Sequence, residues 1–277
     1  MKKRLLFAGI AILSAMCCFA QTAVAELGAG DVMAGVNLTV AEGKRLIAKG
    51  IANNPQVKAR LRKGTIVITT GSTNTYLAEE LANLAAPRGS FVIGYITPQG
   101  SGSVNSGMDM TADIVLIDGK RADISYEEAL KNATEEDIVF KGANLLDYEK
   151  RQAAVCVGSP NGGPAGHVRE TKARLIVPIG LEKETFGDLA AYEKLFENKP
   201  AGTPLPRVWV HPPKAEIYTE IEAIKSVADV QVAPFAAGGI AGREGGISLA
   251  VYGTKEEVQK ALDFVASIQG EPPFVEK

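Results

Sequence analysis

Apolar positions along the chain follow two alternating periods. Residues 65–69, Thr-Ile-Val-Ile-Thr, form a continuous β-branched run, the composition of a strand buried on both faces. Before it, Thr39-Val40-Ala41-Glu42 has the Ser/Thr-x-x-Glu spacing of a capping box and opens a helical pattern to about Arg62, broken at Pro55. After it, a turn at Gly71-Ser72-Thr73 leads into a helical pattern over residues 74–85. Further strand-like runs occupy residues 91–96, 113–117, 137–140, 153–157 and 175–179, with helical patterns at 125–132 and 185–198. Strands alternating with helices predict an α/β fold, a largely parallel sheet with helices on both faces.

The rhythm changes near residue 200. Pro200, Pro204 and Pro206 fall within nine residues and mark a linker or long exposed loop. Beyond it come a strand at 207–210, a helix at 215–227, strands at 230–233 and 247–251, and a helix from 254 to about 268. That β-α-β-β-α order suits a small C-terminal ferredoxin-like α+β unit. The expected division is therefore a signal peptide over 1–25, an α/β domain over 26–198 and a small α+β domain over 207–277. Residues 98–110 are polar and glycine-rich, the composition of a mobile loop.

The amino terminus has its own logic. Lys2-Lys3-Arg4 precedes an apolar run to about Ala20, and Ala23-Val24-Ala25 supplies the small residues that signal peptidase accepts. The run is about sixteen residues, short of the roughly twenty that span a bilayer. Cleavage before Glu26 and export, periplasmic or secreted, with no stable membrane span afterwards, are the expectation. Ser14-Ala15-Met16 lacks the small residue expected beside a lipidated Cys17. Removing 25 of 277 residues leaves 252, and Cys156 as the last of three cysteines, so an intramolecular disulfide is excluded. Cys156 itself reads as a small core residue of a buried strand.

Charge narrows the partners. Thirty Lys+Arg stand against 32 Asp+Glu, giving −2, or −5 once the three basic residues of the leader are gone. This balance, with a pI near 5.9, argues against nucleic acid. With only His167 and His211 as further strong ligands, structural zinc is not expected, and neither is any other metal or cofactor. Homo-oligomerisation is left open by the sequence.

Three glycine-containing loops could carry chemistry. Thr69-Thr70-Gly71-Ser72-Thr73-Asn74 joins a buried strand to a helix start, where free N–H groups and hydroxyls form an anion site. The same residues also suit an ordinary capped turn. They match neither a Walker loop nor a dinucleotide fingerprint. Residues 158–167 contain Gly162 and Gly163 and end at His167, with Arg169, Glu170 and Lys172 close behind as anion partners and a base. In an open parallel sheet, loops beyond the carboxyl ends of strands converge on a ligand. Residues 236–246 hold five glycines and Arg243, a wide hairpin loop or a flap. No Gly-x-Ser-x-Gly elbow occurs.

Two of these segments resemble a family. Thr70-Gly71-Ser72-Thr73 after a hydrophobic strand resembles the phosphate loop of ribose-5-phosphate isomerase. Residues 137–147, Asp-Ile-Val-Phe-Lys-Gly-Ala-Asn-Leu-Leu-Asp, are similar in spacing to its Asp-Gly-Ala-Asp-Glu-x-Asp region. Gly162-Gly163 with Arg169-Glu170 and Lys172 loosely resembles the glycine-rich segment leading to its catalytic base. The resemblance covers about residues 40–180 and extends to the wider group of sugar-phosphate isomerases, amino-sugar deaminases and coenzyme A transferases. It implies a small anionic ligand, phosphorylated or sugar-derived, held by Thr70, Gly71, Ser72, Thr73, Asn144, Gly162, Gly163 and Arg169. It also implies Glu170 and Lys141 as the groups for catalysis. Lys141 and Asn144 stand where the isomerase carries acids, which reverses the local electrostatics. Binding without catalysis is therefore the first expectation, with an active isomerase or transferase using Glu170 as base the alternative.

Overall fold

The computed structural model describes residues 24–97, 100–102, 109–158 and 162–274. The expected signal peptide lies outside them save its last two residues, as do Ser159-Pro160-Asn161 and parts of the 98–110 segment. In chain order the elements begin with β1 (Val32–Leu38), α1 (Val40–Asn53), α2 (Pro55–Arg62), β2 (Thr65–Ile68), α3 (Ser72–Ala82), β3 (Tyr95–Thr97) and β4 (Gly100–Gly102). Then come β5 (Ile114–Ile117), β6 (Lys120–Arg121), α4 (Tyr126–Asn132), β7 (Ile138–Phe140), β8 (Leu145–Asp147), β9 (Gln152–Val157) and α5 (Pro164–Glu170). The chain ends with β10 (Arg174–Pro178), α6 (Leu189–Glu197), β11 (Arg207–Val210), β12 (Glu216–Tyr218), α7 (Glu220–Lys225), β13 (Gln231–Ala237), β14 (Ile247–Gly253) and α8 (Lys255–Ala266).

The β-branched runs assemble a six-stranded sheet in the order β12-β10-β7-β2-β5-β6. β12, β10, β7 and β2 are parallel, and β5 and β6 add antiparallel strands at one side. Because side chains alternate along a strand, each run supplies two faces. Ile66, Ile68, Ile114, Leu116, Ile138, Phe140 and Ile176 pack with Ile47, Ile51, Val57, Tyr76 and Leu77 of α1–α3. Val67, Val115, Val139, Leu175 and Val177 pack with Leu130, Val168, Ile224 and Val265, from α4, α5, α7 and α8. Both faces are therefore dry, as the unbroken apolar runs require. The α/β expectation holds at this level.

Helix boundaries follow local chemistry. Thr39 and Glu42 form the reciprocal capping box at the start of α1. Asn54 ends α1 and caps α2 by accepting from Gln56 and Val57, with Pro55 at the first helical position. Gly50 lets α1 approach α7: a Cβ there would lie 2.8 Å from the Ala223 Cα and 2.9 Å from the Tyr218 hydroxyl. Gly50→Ala is accordingly expected to lower stability by about 2 kcal/mol in urea denaturation, despite the better helix propensity of alanine.

Several expectations are corrected. The 91–96 segment is a short 3-10 turn ending at Phe91, followed by β3; Phe91 is fully buried and anchors the turn to the core rather than extending it. The 215–227 helix is β12 followed by α7, because Thr219 and Glu222 form a second capping box that starts the helix only there. Ile217 meanwhile pairs with Val177 of the central sheet. The expected ferredoxin-like unit over 207–277 does not close on itself. β11 pairs with β9 in a β11-β9-β8 sheet, β12 joins the central sheet, and β13 and β14 pair with the amino-terminal β1. The third glycine loop is the hairpin between β13 and β14, closed by the Gly238 N–H donating to the Gly246 carbonyl at 2.7 Å. Among the described residues no helix is long and apolar enough to cross a membrane.

Candidate functional site

β2 and β7 are parallel neighbours, but their chains leave in opposite directions. From β2 the chain enters α3, on the Ile66/Ile68 face, and continues to β5. From β7 it passes through β8, β9 and α5, with Val168 on the Val67/Val139 face, and returns to β10. Such a switch is where open α/β sheets place a ligand, beyond the carboxyl ends of the two strands. The residues that follow Ile68 and Phe140 there are Thr69–Thr73 from one strand and Lys141–Asn144 from the other.

The two strand ends are stitched together. The Thr69 N–H and hydroxyl both donate to the Phe140 carbonyl at 3.0 Å. Asn74 of α3 donates its amide N–H groups to the Thr69 and Phe140 carbonyls at 2.8 and 3.1 Å. This fixes the amide orientation, since only the nitrogen can face two carbonyls. The Asn74 Oδ1 on the other side is buried without a partner among the described residues. Gly71 precedes α3 without a side-chain cap. The N–H groups of Ser72, Thr73 and Asn74 consequently lack partners among the described residues, as expected of an uncapped helix start. Ser72 is half-buried and Thr73 buried.

Side-chain alternation puts Thr69, Asp113 and Lys141 on one face, each two positions from Val67, Val115 and Val139. Asp113 accepts from the Thr70 N–H at 2.5 Å. Burial raises the Asp113 carboxyl above its usual range, only partly offset by Thr70 and Lys141. Lys141 is 9% exposed, and its amine has no hydrogen bond or ion pair among the described residues. Burial pushes that amine down to about 8, with the Asp113 carboxylate opposing the shift. His211 is buried beside it; its Nε2 donates to the Gly142 carbonyl at 3.2 Å, which leaves Nδ1 as an acceptor. Burial and the Lys141 charge hold this imidazole down at about 3, so it is neutral at ordinary pH. At the outer rim the Tyr126 hydroxyl and His167 Nδ1 join α4 to α5 at 2.8 Å.

Of the residues expected from sequence, Thr70, Gly71, Ser72, Thr73 and Lys141 come together here. Asn144 uses its amide oxygen to accept from the Cys156 N–H at 2.8 Å, pinning β8 to β9. Arg169 lies over the Trp209 ring and donates to the Val210 carbonyl at 2.6 Å and to Glu193. Its guanidinium is thus committed to joining α5, α6 and β11. Gly162 and Gly163 have φ of 75° and 51° at the turn into α5, and a Cβ on Gly162 would strike the Trp209 ring. Their place is steric. The strand before this loop, β9, lies outside the central sheet, so the loop is not at the end of a parallel strand as expected. Glu170 is exposed at the last turn of α5, four residues before β10 starts at Arg174 opposite Ile138. It therefore sits at the amino edge of the sheet, while Lys141 sits at the carboxyl edge. Cys156 is half-buried in β9, and burial pushes its thiol up.

Sequence reasoning missed Asp113 and His211 as members of this cluster, and the role of the Asn74 amide in joining the two strand ends. A second buried cluster was missed as well. Lys44 of α1, Glu182 after β10 and Glu220 after β12 face one another at the same edge of the sheet. Glu220 accepts from the Leu181 N–H at 3.0 Å, while the Glu182 Oε1 is buried without a hydrogen bond. Burial first, and the Glu182 charge second, raise the Glu220 carboxyl far above its usual range. A raised carboxyl favours folding at low pH, and the advantage is lost as pH rises from about 4.5 through the folded value. Glu220→Gln keeps the acceptor for Leu181. It should match the wild type at pH 4 and exceed it by on the order of 1–3 kcal/mol at pH 8, read from urea midpoints.

Among the described residues no group of three or more His, Cys, Asp or Glu is placed to hold a metal ion. An open depression of about 410 Å³ lies elsewhere, lined by Lys225, Ser226, Asp229 and Glu257. Its polar groups already serve one another, since Glu257 accepts from the Asp229 N–H and pairs with Lys260, so it offers no chemistry. No family model, curated protein or solved structure matches the chain.

Proposed function

We propose that the protein is exported after cleavage before Glu26 and binds a small anionic ligand, phosphorylated or sugar-derived, between the carboxyl ends of β2 and β7. One observation carries this reading: Lys141 is a nine-tenths buried residue whose amine has no hydrogen bond or ion pair among the described residues, at the same edge of the sheet as an uncapped helix start. An unpaired buried charge is costly, and a ligand's negative charge relieves that cost. Lys141 supplies the charge, and the N–H groups and hydroxyls of Ser72 and Thr73 supply directed hydrogen bonds. Thr70 and Gly71 shape the loop.

Kinship with the sugar-phosphate isomerases and coenzyme A transferases is part of the same proposal, supported by the order of buried strand, Thr-Gly-Ser-Thr turn and helix. The position of Glu170 at the opposite edge of the sheet speaks against the catalytic version in which that residue is the base. The test is a thermal-shift screen of the exported protein against inorganic phosphate, sugar phosphates, organic acids and acyl-CoA compounds. A ligand at a hundred times its Kd should stabilise the fold by about 2.7 kcal/mol. Ser72→Ala should weaken binding of the hit by roughly three- to tenfold, the net worth of one ordinary hydrogen bond. Amino-terminal sequencing should read from Glu26. A hit bound equally by wild type, Ser72→Ala and Lys141→Ala would place the ligand elsewhere.

A further inference from the structure

We propose that Lys141 captures its ligand covalently, as an imine with the aldehyde or ketone of an anion that carries both groups, such as an oxo-acid or an open-chain sugar phosphate. The inference rests on the anion reading above and narrows its ligand class. An anion alone would be held as well by an arginine fork or by a solvated lysine. Lys141 is instead nine-tenths buried as a residue, and no carboxylate among the described residues forms an ion pair with its amine. Its neighbour His211 is a neutral imidazole already bonded to Gly142, so it offers no competing positive charge. Desolvation without an ion pair is the setting in which lysine becomes a nucleophile. With the amine near 8, about a tenth is unprotonated at pH 7.

The arrangement also supplies a proton path. Asp113 is held by Thr70 and acts electrostatically on Lys141 without closing an ion pair. Because that carboxylate makes no ion pair with the ammonium, it takes the proton through a bridging water, and the freed Nζ attacks the carbonyl carbon. The C–N bond forms as the C=O π pair moves to oxygen, and a proton passes from nitrogen to that oxygen. Asp113 then returns its proton to the hydroxyl, which leaves as water while the nitrogen lone pair closes C=N. In sum, ammonium and carbonyl give protonated imine and water, with no oxidant or reductant. The anionic group meanwhile rests on the Ser72 and Thr73 N–H groups, which fixes the carbonyl relative to Nζ.

The experiment is reductive trapping. Purified exported protein is incubated with pyruvate or with glyceraldehyde 3-phosphate and sodium cyanoborohydride, then digested and mapped by mass spectrometry. The expected result is one secondary-amine adduct on Lys141, at least tenfold more occupied than on any other lysine and suppressed by excess inorganic phosphate. Asp113→Asn should slow its formation at least tenfold; an unchanged rate would overturn the proton path drawn above. Labelling spread evenly over surface lysines overturns the imine. So does an unlabelled Lys141 in protein whose melting point the same probes raise, and in that case the anion reading stands. A protein that none of the anions stabilises or labels overturns both.

Discussion

Lys141→Met is expected to stabilise the protein while removing its anion binding. Methionine matches the length and apolar stem of lysine, so the packing beside Val139 and His211 is retained. What disappears is the charge of a nine-tenths buried lysine that has no hydrogen bond or ion pair among the described residues. Burial lowers the Lys141 amine from 10.5 to about 8, which corresponds to about 3 kcal/mol of folding free energy spent on holding the charge. The direction with pH follows from which state holds more protons. Between about 8 and 10.5 the unfolded chain is protonated and the folded one is not, so wild-type stability rises across that window. The advantage of the methionine variant is therefore full below pH 8, on the order of 3 kcal/mol, and vanishes above 10.5. Urea denaturation at pH 7 and pH 10.5 reads both ends. A loss of stability at pH 7 would mark Lys141 as a structural residue and remove the reason to place a ligand there.

Arg45→Ala is expected to cost about 3 kcal/mol, chiefly by releasing the carboxyl-terminal segment. Arg45 of α1 is 10% exposed and pairs with Glu79, with Glu80 at 2.9 Å and with Glu271 at 2.9 Å. Arg88 pairs with Glu79 at 3.0 Å and with Glu271 at 2.5 Å. The Tyr76 ring lies against both guanidinium groups, 4.7 and 4.4 Å from its centroid. Removing Arg45 leaves three carboxylates to one guanidinium in a half-buried site. Burial alone would raise Glu271, but the hydrogen bonds from Arg45 and Arg88 outweigh it and hold the carboxyl below its usual range. That stabilisation is present above about pH 4.5 and is lost as pH falls through the lowered folded value. The variant should accordingly show a shallower acid limb in a pH series of melting points, and faster proteolysis beyond Ile268. Unchanged melting would show that Gly270, which donates to Glu42 at 2.8 Å, and Phe274, whose ring packs at a tilt against Tyr76, hold the segment unaided.

The central sheet was legible because its strands are unmistakable. β2, β7 and β10 are continuous apolar runs, and the Thr39 and Pro55 signals set the bounds of α1 and α2 to within a residue or two. Pairing was not legible. β1 has exposed residues at Met33 and Asn37 and a glycine between, a pattern too polar to announce a strand, and its partner β14 is more than 200 residues away. β11 and β12 read as the start of a new unit because the proline-rich segment precedes them, yet each adds to a sheet begun earlier in the chain. The site was legible where chemistry is local, in the Thr70–Thr73 turn and at Lys141. It was not legible where it depends on register: Asp113 is only the first residue of a strand-like run until antiparallel pairing brings it to Thr70. Glu170, close to the glycine loop in sequence, is carried by α5 to the other edge of the sheet.

The most direct test of the site is calorimetric titration of wild type, Lys141→Met and Ser72→Ala with whichever anion gives the largest thermal shift. The expected result is a single site whose affinity falls at least a hundredfold in Lys141→Met and roughly three- to tenfold in Ser72→Ala, with proton uptake on binding between pH 8 and 10 as the anion restores the lysine charge. Equal affinity in all three proteins, with no proton uptake, would contradict it.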